Sequence, residues 1–432
     1  MKFYLVNLGC PKNLVDAEVM AGILIEAGFS PSLHPEEAKI IIVNTCAFLE
    51  EASSEAIETI LQLSQYKETG NCKLLIVTGC LPARYKKEDL QKELPEVDVF
   101  LGPYAFSKIK QVIHKKKKIF LNPPPFAFPY SEAKRQISTP SHYAYLKIAE
   151  GCNHQCSFCI IPFIKGKYNS RAKEEVLKEA QLLVEKGVKE LILVAQDTSF
   201  YGKDINKTDY LTKLLKELSS LKGIYWIRLL YLSPEYTTKE LISEILSIPK
   251  LCPYFDIPIQ HSHPEILKKM KRSISAESML KLFQWIRIQN PLSAIRTSII
   301  VGFPGEKDKH FRHLLQFIKE AQLDRVGVFK FSPEPPAPSA FYPDQIPRKL
   351  KEERFREIMQ LQRSISLQKN KTLVGRELEV IVENSHCGRS YRDAPDIDGL
   401  VYIKEAQKEI GKIVKVKITE ALPYDLKGEE VC

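Results

Sequence analysis

The stretch EGCNHQCSFCIIP, residues 150–162, contains Cys152, Cys156 and Cys159 in a C-x3-C-x2-C spacing. Three thiolates in one short loop can surround a single metal ion or cluster, and thiolates favour zinc or iron–sulfur. Structural zinc takes four protein ligands, and four-iron clusters are normally held by four cysteines. His154 would be the nearest fourth zinc ligand, but it lies between the first two cysteines, where its ring is awkwardly placed. We therefore favour an iron–sulfur cluster with one iron open to a substrate or cofactor.

The loop follows the first of six strand-like runs that alternate with amphipathic helices, the pattern of βα units. The runs are Tyr143–Ala149, Glu190–Ala195, Trp226–Tyr231, Phe255–Gln260, Arg296–Val301 and Val326–Phe331. Six units predict a partial, open TIM-like (β/α)6 barrel, because a closed barrel has eight. Barrel enzymes place their sites at the carboxyl ends of the strands. The loops there contain Gln196, Gln260–His261 and the glycine-rich turn Gly302–Glu306.

The N-terminal region predicts a second α/β domain. Strand-like runs end at Cys10, Cys46 and Cys80, with helical patterns near Asp16–Ala27 and Ser53–Leu63 between them. A fourth strand near 97–101 precedes a helix near 105–114. Alternating strands and helices indicate a doubly wound parallel sheet, whose strands end along one edge where ligands bind. The three cysteines are therefore expected to converge in space.

The remaining segments complete a three-domain interpretation. The N-terminal domain is expected over 1–117, a proline-rich linker over 118–140 and the barrel domain over 141–369, ending in a long helix near 348–368. Short alternating runs from about residue 372 predict a small antiparallel β-barrel over 370–432. This segment carries a net charge of −2 and the rest of the chain +12.

Composition narrows the class of protein. Hydrophobic residues make up 44% and charged residues 27%, as in soluble globular proteins. No apolar run is long enough to span a membrane, and no signal peptide is evident, so a cytoplasmic protein is expected. Disulfides are rare in that compartment, so the ten cysteines need an explanation other than disulfides. Cys72, Cys252, Cys387 and Cys432 show no comparable pattern and are interpreted as plain thiols.

The triplet at the start of a (β/α)6-type barrel resembles the radical S-adenosylmethionine superfamily. Within that superfamily, the chain resembles the methylthiotransferases over essentially its whole length. The resemblance rests on the additional trio Cys10, Cys46 and Cys80 and on the TRAM-like C-terminal barrel. The resemblance implies two [4Fe-4S] clusters, one on each cysteine set, and S-adenosylmethionine as radical source and methyl donor. The cluster on the triplet would generate a radical that abstracts hydrogen, and the other cluster would supply sulfur. Gln196, Gly302, Gly305 and Glu306 are candidate cofactor contacts, and no side-chain general base is assigned.

Methylthiotransferases have two branches. One modifies an adenosine in transfer RNA (the MiaB type), and the other modifies an aspartate, at its β-carbon, on small-subunit ribosomal protein twelve (the RimO type). Three segments resemble the ribosomal-protein branch, namely LGCPKNLVDAE, DIPIQHSHPEILKKMKR and GRSYRDAPDIDG. In the last segment the match rests on Arg389 and on 394–399. The acidic terminal domain also favours a basic ribosomal protein over RNA.

The implied partners are the ribosomal protein or the assembled small subunit, and an electron donor such as flavodoxin or ferredoxin. No membrane association and no stable nucleic-acid binding are expected. A transfer-RNA methylthiotransferase and a non-catalytic iron–sulfur or zinc protein are the alternatives.

Overall fold

The computed structural model describes residues 1–113, 119–122, 135–404 and 409–431. The chain divides into two compact units. The first contains Met1–Thr139, Tyr145–Glu179 and Glu334–Ala340, and the second contains Pro140–Ala144, Ala180–Pro333 and Phe341–Cys432. Within the described ranges, no helix combines the length and apolar character needed to cross a membrane.

The first unit is built on a six-stranded sheet that is parallel throughout. Across the sheet the strands are Ser30–Pro31, Lys2–Asn7, Ile40–Thr45, Leu74–Gly79, Val99–Leu101 and Ile119–Leu121. The helices are Pro11–Glu26, Glu50–Ser64, Tyr66–Thr69, Leu81–Arg84, Lys87–Glu93, Ile109–Val112 and Ile161–Lys165. Ile40–Thr45 is buried along its whole length, as expected when helices cover both faces of a parallel sheet. The predicted doubly wound domain is therefore present.

Several predicted bounds in this unit were wrong. The first helix starts at Pro11, not Asp16, because proline suits the first position of a helix. The helix predicted near 105–114 is a 3-10 turn, Phe106–Lys108, followed by Ile109–Val112, and residue 114 lies outside the described residues.

The predicted linker over 118–140 contains structure where the chain is described. Ile119–Leu121 pairs with Val99–Leu101 as the sixth strand of the sheet. Nearer its end, the Arg135 Nε donates to Glu18 at 2.5 Å, and the Ser138 hydroxyl donates to Glu18 at 2.7 Å. The proline-rich composition concealed both features, and residues 123–134 lie outside the described part of the chain.

The second unit contains five further parallel strands in two groups. Glu190–Val194 pairs with Trp226–Leu229, and Ala294–Val301 lies between Tyr254–Asp256 and Arg325–Lys330. The first of the six predicted strands is observed as Tyr143–Lys147, which begins in this unit and ends in the first. The helices of this unit are Tyr210–Ser220, Lys239–Ser247, Pro264–Lys269, Ala276–Gln289, Asp308–Ala321 and Arg348–Lys371. A further helix, Lys173–Glu185, begins in the first unit and ends in the second.

The end of the second unit is a closed five-stranded barrel, as predicted, but it is not antiparallel throughout, because Val401–Ile403 pairs in parallel with Leu426–Glu430. Its strands are Glu377–Val382, Cys387–Ser390, Val401–Ile403, Ile413–Ala421 and Leu426–Glu430. Alternate residues of Ile413–Ala421 point inward, so Val414, Val416 and Ile418 join a buried apolar core. This period-two burial is what one filled and one solvated face produce.

Candidate metal centres

The three N-terminal cysteines meet at the carboxyl edge of the parallel sheet. Cys46 and Cys80 directly follow their strands, and Cys10 lies three residues beyond Asn7. Asn13 lies between two of them: its Nδ2 is 3.7 Å from the Cys80 sulfur, and the Cys10 sulfur is 3.6 Å from its Oδ1. The same Nδ2 donates to the Thr45 carbonyl at 2.9 Å, next to Cys46. The predicted convergence of the cysteines is therefore present in the structure.

The electrostatics of the trio favour a bound cation. Burial, then the neighbouring Cys80 and Cys10, raise the pKa of Cys46 to about 12. Burial also raises the pKa of Cys80, and Lys165 is the charge that most opposes this. Without a metal, the raised pKa values keep Cys46 and Cys80 as neutral thiols, and metal ligation is the usual way to deprotonate such sulfurs.

Two glycines let the loops approach one another closely around the trio. Gly79 has a φ of +95°, and a Cβ there would lie 2.5 Å from the Thr45 carbonyl oxygen. A Cβ on Gly9 would lie 2.4 Å from the Cβ of Asn13. A side chain at either position would displace the residues that position the thiols.

The number of thiols indicates which group the trio would hold. Among the described residues, only His263, Glu265 and His310 bring three ligand atoms within 4.8 Å of one another. The trio supplies three sulfur ligands, one fewer than a structural zinc ion takes. Three thiols fit a four-iron cluster with one open iron.

The Cys152–Cys156–Cys159 triplet lies in the loop after the short strand Ala149–Glu150, and the three residues are partly exposed. Gly151 precedes it with a φ of +84°, and a Cβ there would meet the Lys167 carbonyl at 2.1 Å. The Cys152 amide donates to the Gly166 carbonyl at 3.1 Å. The Ile161 amide donates to the Cys159 sulfur at 3.4 Å, the kind of contact that tunes iron–sulfur ligands.

A buried charge network, which the sequence interpretation missed, connects the segments that hold the two cysteine sets. Lys147 is fully buried and donates to Asp16 at 2.6 Å and to Glu150 at 2.5 Å. Lys165 is 2% exposed, with its Nζ 3.5 Å from Glu150 and 3.8 Å from Asp16. Asp16 belongs to the helix that follows Cys10, and Glu150 lies two residues before Cys152. All of these residues lie in the first unit.

The predicted cofactor contacts lie in the second unit. Gln196 is partly buried just beyond Glu190–Val194. Gly302 and Gly305 have φ angles of +73° and +79°, so the glycine-rich turn needs both. Glu306 is buried and accepts hydrogen bonds from the Gly302 amide and from Arg354, each at 2.9 Å. Glu306 thus closes the turn internally, and a cofactor role for these four residues stays a prediction.

The compact set His263, Glu265 and His310 is explained without a metal. The His310 Nδ1 accepts from the Lys307 amide, and its Nε2 lies 2.9 Å from Glu265. The His263 Nδ1 accepts from the Glu265 amide at 3.2 Å. An acceptor Nδ1 in a neutral ring leaves the proton on Nε2, which is then unavailable as a ligand. These residues cap helices.

The terminal segment that suggested a ribosomal-protein substrate has an internal role in the second unit. Arg389 donates to Glu190 at 2.7 Å, and Arg228 donates to the other oxygen of Glu190 at 2.7 Å. Tyr254 donates to Asp398 at 2.6 Å. These buried pairs attach the small barrel to the strands of the second unit.

Comparison with known proteins agrees with this architecture. Residues 2–102 match the model of the uncharacterized protein family UPF0004. Residues 146–318 match the radical SAM superfamily, and residues 374–431 match the TRAM domain. Each cysteine set lies inside one of the first two matches.

Among solved structures, the chain is similar to the radical S-adenosylmethionine methyltransferase TsrM from Kitasatospora setae. With tryptophan substrate and a SAM analog bound, that structure gives a TM-score of 0.57 at 14% identity over 87% of this chain and 77% of that one. A second structure of the same enzyme, with cobalamin and a [4Fe-4S] cluster bound, gives 0.56 over 76% and 74% of the two chains. These likenesses establish the radical SAM fold.

Curated relatives are similar over their whole length. The ribosomal protein uS12 methylthiotransferase RimO of Geobacter sulfurreducens is 46% identical over 99% of this chain and 98% of its own. The RimO of Desulforamulus reducens is 47% identical over 98% of both chains. The RimO of Clostridioides difficile is 44% identical over 99% of this chain. The chain therefore belongs to the RimO family of methylthiotransferases, within the radical S-adenosylmethionine superfamily.

Proposed function

We propose that this protein inserts a methylthio group at the β-carbon of an aspartate in small-subunit ribosomal protein uS12. The observation that carries the proposal is identity of 46% to RimO proteins along 98% of their length, covering both cysteine sets and the terminal barrel. The reaction replaces one carbon–hydrogen bond with a carbon–sulfur bond.

The proposed cofactors are S-adenosylmethionine and two [4Fe-4S] clusters. Cys152, Cys156 and Cys159 would hold the first cluster, and Cys10, Cys46 and Cys80 would hold the second. When bound, these groups would supply reductive cleavage of S-adenosylmethionine and the sulfur atom. Three ligands on each cluster leave one iron open, which both tasks require.

The chain's own groups then have defined tasks. The six thiols are the metal ligands, and Asn13 sets the separation of Cys10 from Cys80. Burial of Lys147 with Asp16 and Glu150 keeps the segments of the two cysteine sets in register within the first unit. Radical abstraction of hydrogen needs no side-chain base, and we assign none.

The charge of the terminal barrel gives less support to a basic substrate than its net value suggests. Asp393 is paired with Arg325 at 2.7 Å, Glu383 with Arg389 at 2.5 Å, and Asp398 lies 3.6 Å from Arg296. These carboxylates are neutralised inside the second unit and attract no partner. The proposed preference for a ribosomal protein over transfer RNA therefore rests on the relatives.

We propose further that the enzyme acts in the cytoplasm on the ribosomal protein or on the assembled small subunit. A flavodoxin or ferredoxin would deliver its electrons, and no stable complex with nucleic acid would be needed. A transfer-RNA methylthiotransferase is the alternative that the same chemistry would serve.

A reconstitution assay tests the substrate directly. The anaerobically reconstituted protein is mixed with S-adenosylmethionine, a reductant and a sulfide source. Three separate reactions receive purified uS12, small subunits lacking the modification, or transfer RNA lacking its methylthio group. We expect the mass of one methylthio group on a uS12 peptide in the first or second reaction. The proposal would be contradicted by methylthio product on transfer RNA alone, with a yield that rises strongly as the salt concentration falls.

A further inference from the structure

Lys165 is a buried cation whose surroundings are unusual. It is 2% exposed, and its Nζ has no hydrogen-bond acceptor among the described residues. Its carboxylate neighbours are 3.5 and 3.8 Å away, beyond the short distances at which Lys147 binds the same two groups. A buried ammonium without acceptors is costly, because each N–H lost a hydrogen bond to water.

The position of Lys165 is fixed by the fold. It ends the helix Ile161–Lys165, which begins two residues after Cys159, and the Tyr104 hydroxyl donates to its backbone carbonyl at 2.6 Å. A lysine on the protein surface could turn its ammonium towards water. Here the backbone is held at one end, and the ammonium is surrounded by protein.

Lys165 lies beside the N-terminal cysteine site. Its helix packs against Leu81–Arg84, which directly follows Cys80, and Ile164 and Cys80 belong to one buried cluster. Burial alone lowers the pKa of Lys165, but Glu150, Cys80 and Asp16 outweigh it and raise the pKa above its ordinary value. Reciprocally, Lys165 is the charge that acts most strongly on Cys80. The two lysines and the two carboxylates cancel in charge. Lys147 makes the short hydrogen bonds to both carboxylates, so the N–H donors of Lys165 remain for another acceptor.

We propose that Lys165 is a positioning residue of the Cys10–Cys46–Cys80 site, where its ammonium stabilises the negative charge of the ligated sulfur. The inference rests on the proposed function, because that function gives the site its cluster. A cluster held by three thiolates and carrying an additional anionic sulfur is strongly negative, and a desolvated ammonium is the matching charge. Lys12, which is also buried and lowers the pKa of Cys46 slightly, lies on the same site.

The reduction potential of this cluster is the decisive readout, because it needs no substrate and a purely structural role would not move it. The Cys152, Cys156 and Cys159 codons are changed to alanine in the full chain, so that only the N-terminal cluster gives a signal. Lys165→Met, Lys165→Gln and Lys165→Arg are introduced into that background. Lys67→Met is the control, because Lys67 is a half-buried lysine of the same unit that pairs with Asp98 at 2.7 Å.

We expect a more negative midpoint potential in Lys165→Met, since losing a positive charge disfavours adding an electron. Lys165→Arg should return the potential close to that of the parent, and Lys67→Met should leave it unchanged. Lys165→Gln keeps a polar side chain and provides the measurement if Lys165→Met retains no iron. Equal potentials in the parent, Lys165→Met and Lys165→Gln would overturn the inference.

A second measurement uses the enzyme with both clusters. Lys165→Met should form 5′-deoxyadenosine at the normal rate but lose about tenfold or more in methylthio product, the effect of one lost charged hydrogen bond. Equal losses of both products would overturn the role assigned to Lys165. A wild-type protein that holds both clusters and makes no methylthio product would instead contradict the proposed function, and the potentials would remain interpretable.

Discussion

Asn13 lies between two cysteines that are 70 residues apart in the chain, with its Nδ2 3.7 Å from the Cys80 sulfur and its Oδ1 3.6 Å from the Cys10 sulfur. Its side-chain amide also donates to the Thr45 carbonyl at 2.9 Å, and its backbone carbonyl accepts from Asn44 at 2.8 Å, so side chain and backbone are both held. A single side chain thus sets the separation of two proposed cluster ligands.

Replacing Asn13 with alanine should loosen the N-terminal site. The Thr45 carbonyl would lose one of its two donors and keep the Cys80 amide at 3.0 Å, which lowers the free energy of unfolding by about 0.5–1.5 kcal/mol. Iron after reconstitution should fall from about eight towards about four per chain. Iron and sulfide assays check this. Asn71→Ala, which removes an exposed amide bound to the Glu36 carbonyl, is the control and should keep full iron. A full iron content in Asn13→Ala would show that Asn13 is not needed to position Cys10 and Cys80.

The two cysteine sets should have separable functions. With alanine at Cys152, Cys156 and Cys159, the protein should keep about four irons and lose cleavage of S-adenosylmethionine. With alanine at Cys10, Cys46 and Cys80, cleavage should persist while methylthio product disappears. Chromatography of 5′-deoxyadenosine and mass spectrometry of the peptide measure the two activities. Methylthio product from the second variant would show that the sulfur does not come through that site.

Glu190 should be essential for attaching the terminal barrel. It is fully buried and accepts from Arg228 and Arg389, each at 2.7 Å. Glu190→Gln leaves the buried Arg228 without its carboxylate partner and Arg389 with Glu383 alone, which should cost about 3–5 kcal/mol. Urea denaturation followed by tryptophan fluorescence measures it. Glu420→Gln, which breaks only an exposed pair with Lys427, should change stability little. Equal effects of the two substitutions would contradict this account.

The stability that Glu190 provides should depend on pH in a defined direction. Burial raises the pKa of Glu190, but Arg389 and Arg228 outweigh it and hold the pKa below its ordinary value of 4.5. Its contribution is therefore fully present above pH 4.5 and is lost as the pH falls through the lower folded-state value. Urea denaturation at a series of pH values should show a constant difference in the free energy of unfolding between wild type and Glu190→Gln down to about pH 5. Below that pH the difference should become smaller. A difference that narrows between about pH 7 and pH 5 would contradict the depressed pKa.

Much of the architecture could be predicted from local patterns. The radical SAM and methylthiotransferase assignments, the parallel N-terminal sheet and the closed terminal barrel are confirmed. Cys10, Cys46 and Cys80 recur at the same point of successive βα units, and that regularity predicted their convergence. Periodicity reports which face of a strand or helix is buried, and it served well for these features.

The buried charges could not be predicted in the same way. Lys147 in a strand of buried residues and Asp16 on a mostly buried helix break the apolar pattern, which was a usable signal of internal pairing. Lys147 and Asp16, however, are 131 residues apart in the chain, and no local pattern specifies that they pair with each other. Arg389 and Asp398 supported the substrate assignment, yet in the structure they join the barrel to its own unit. A motif shared with a family can report how its domains pack.

The central claim is that this chain modifies an aspartate of uS12, and cells lacking its gene test that claim most directly. Small subunits are isolated from the deletion strain, from the same strain carrying the wild-type gene, and from one carrying Cys152→Ala. Peptide mass spectrometry then follows the aspartate of uS12. The account predicts the methylthio mass only in the strain with the wild-type gene. A β-methylthio group on uS12 from the deletion strain would contradict it.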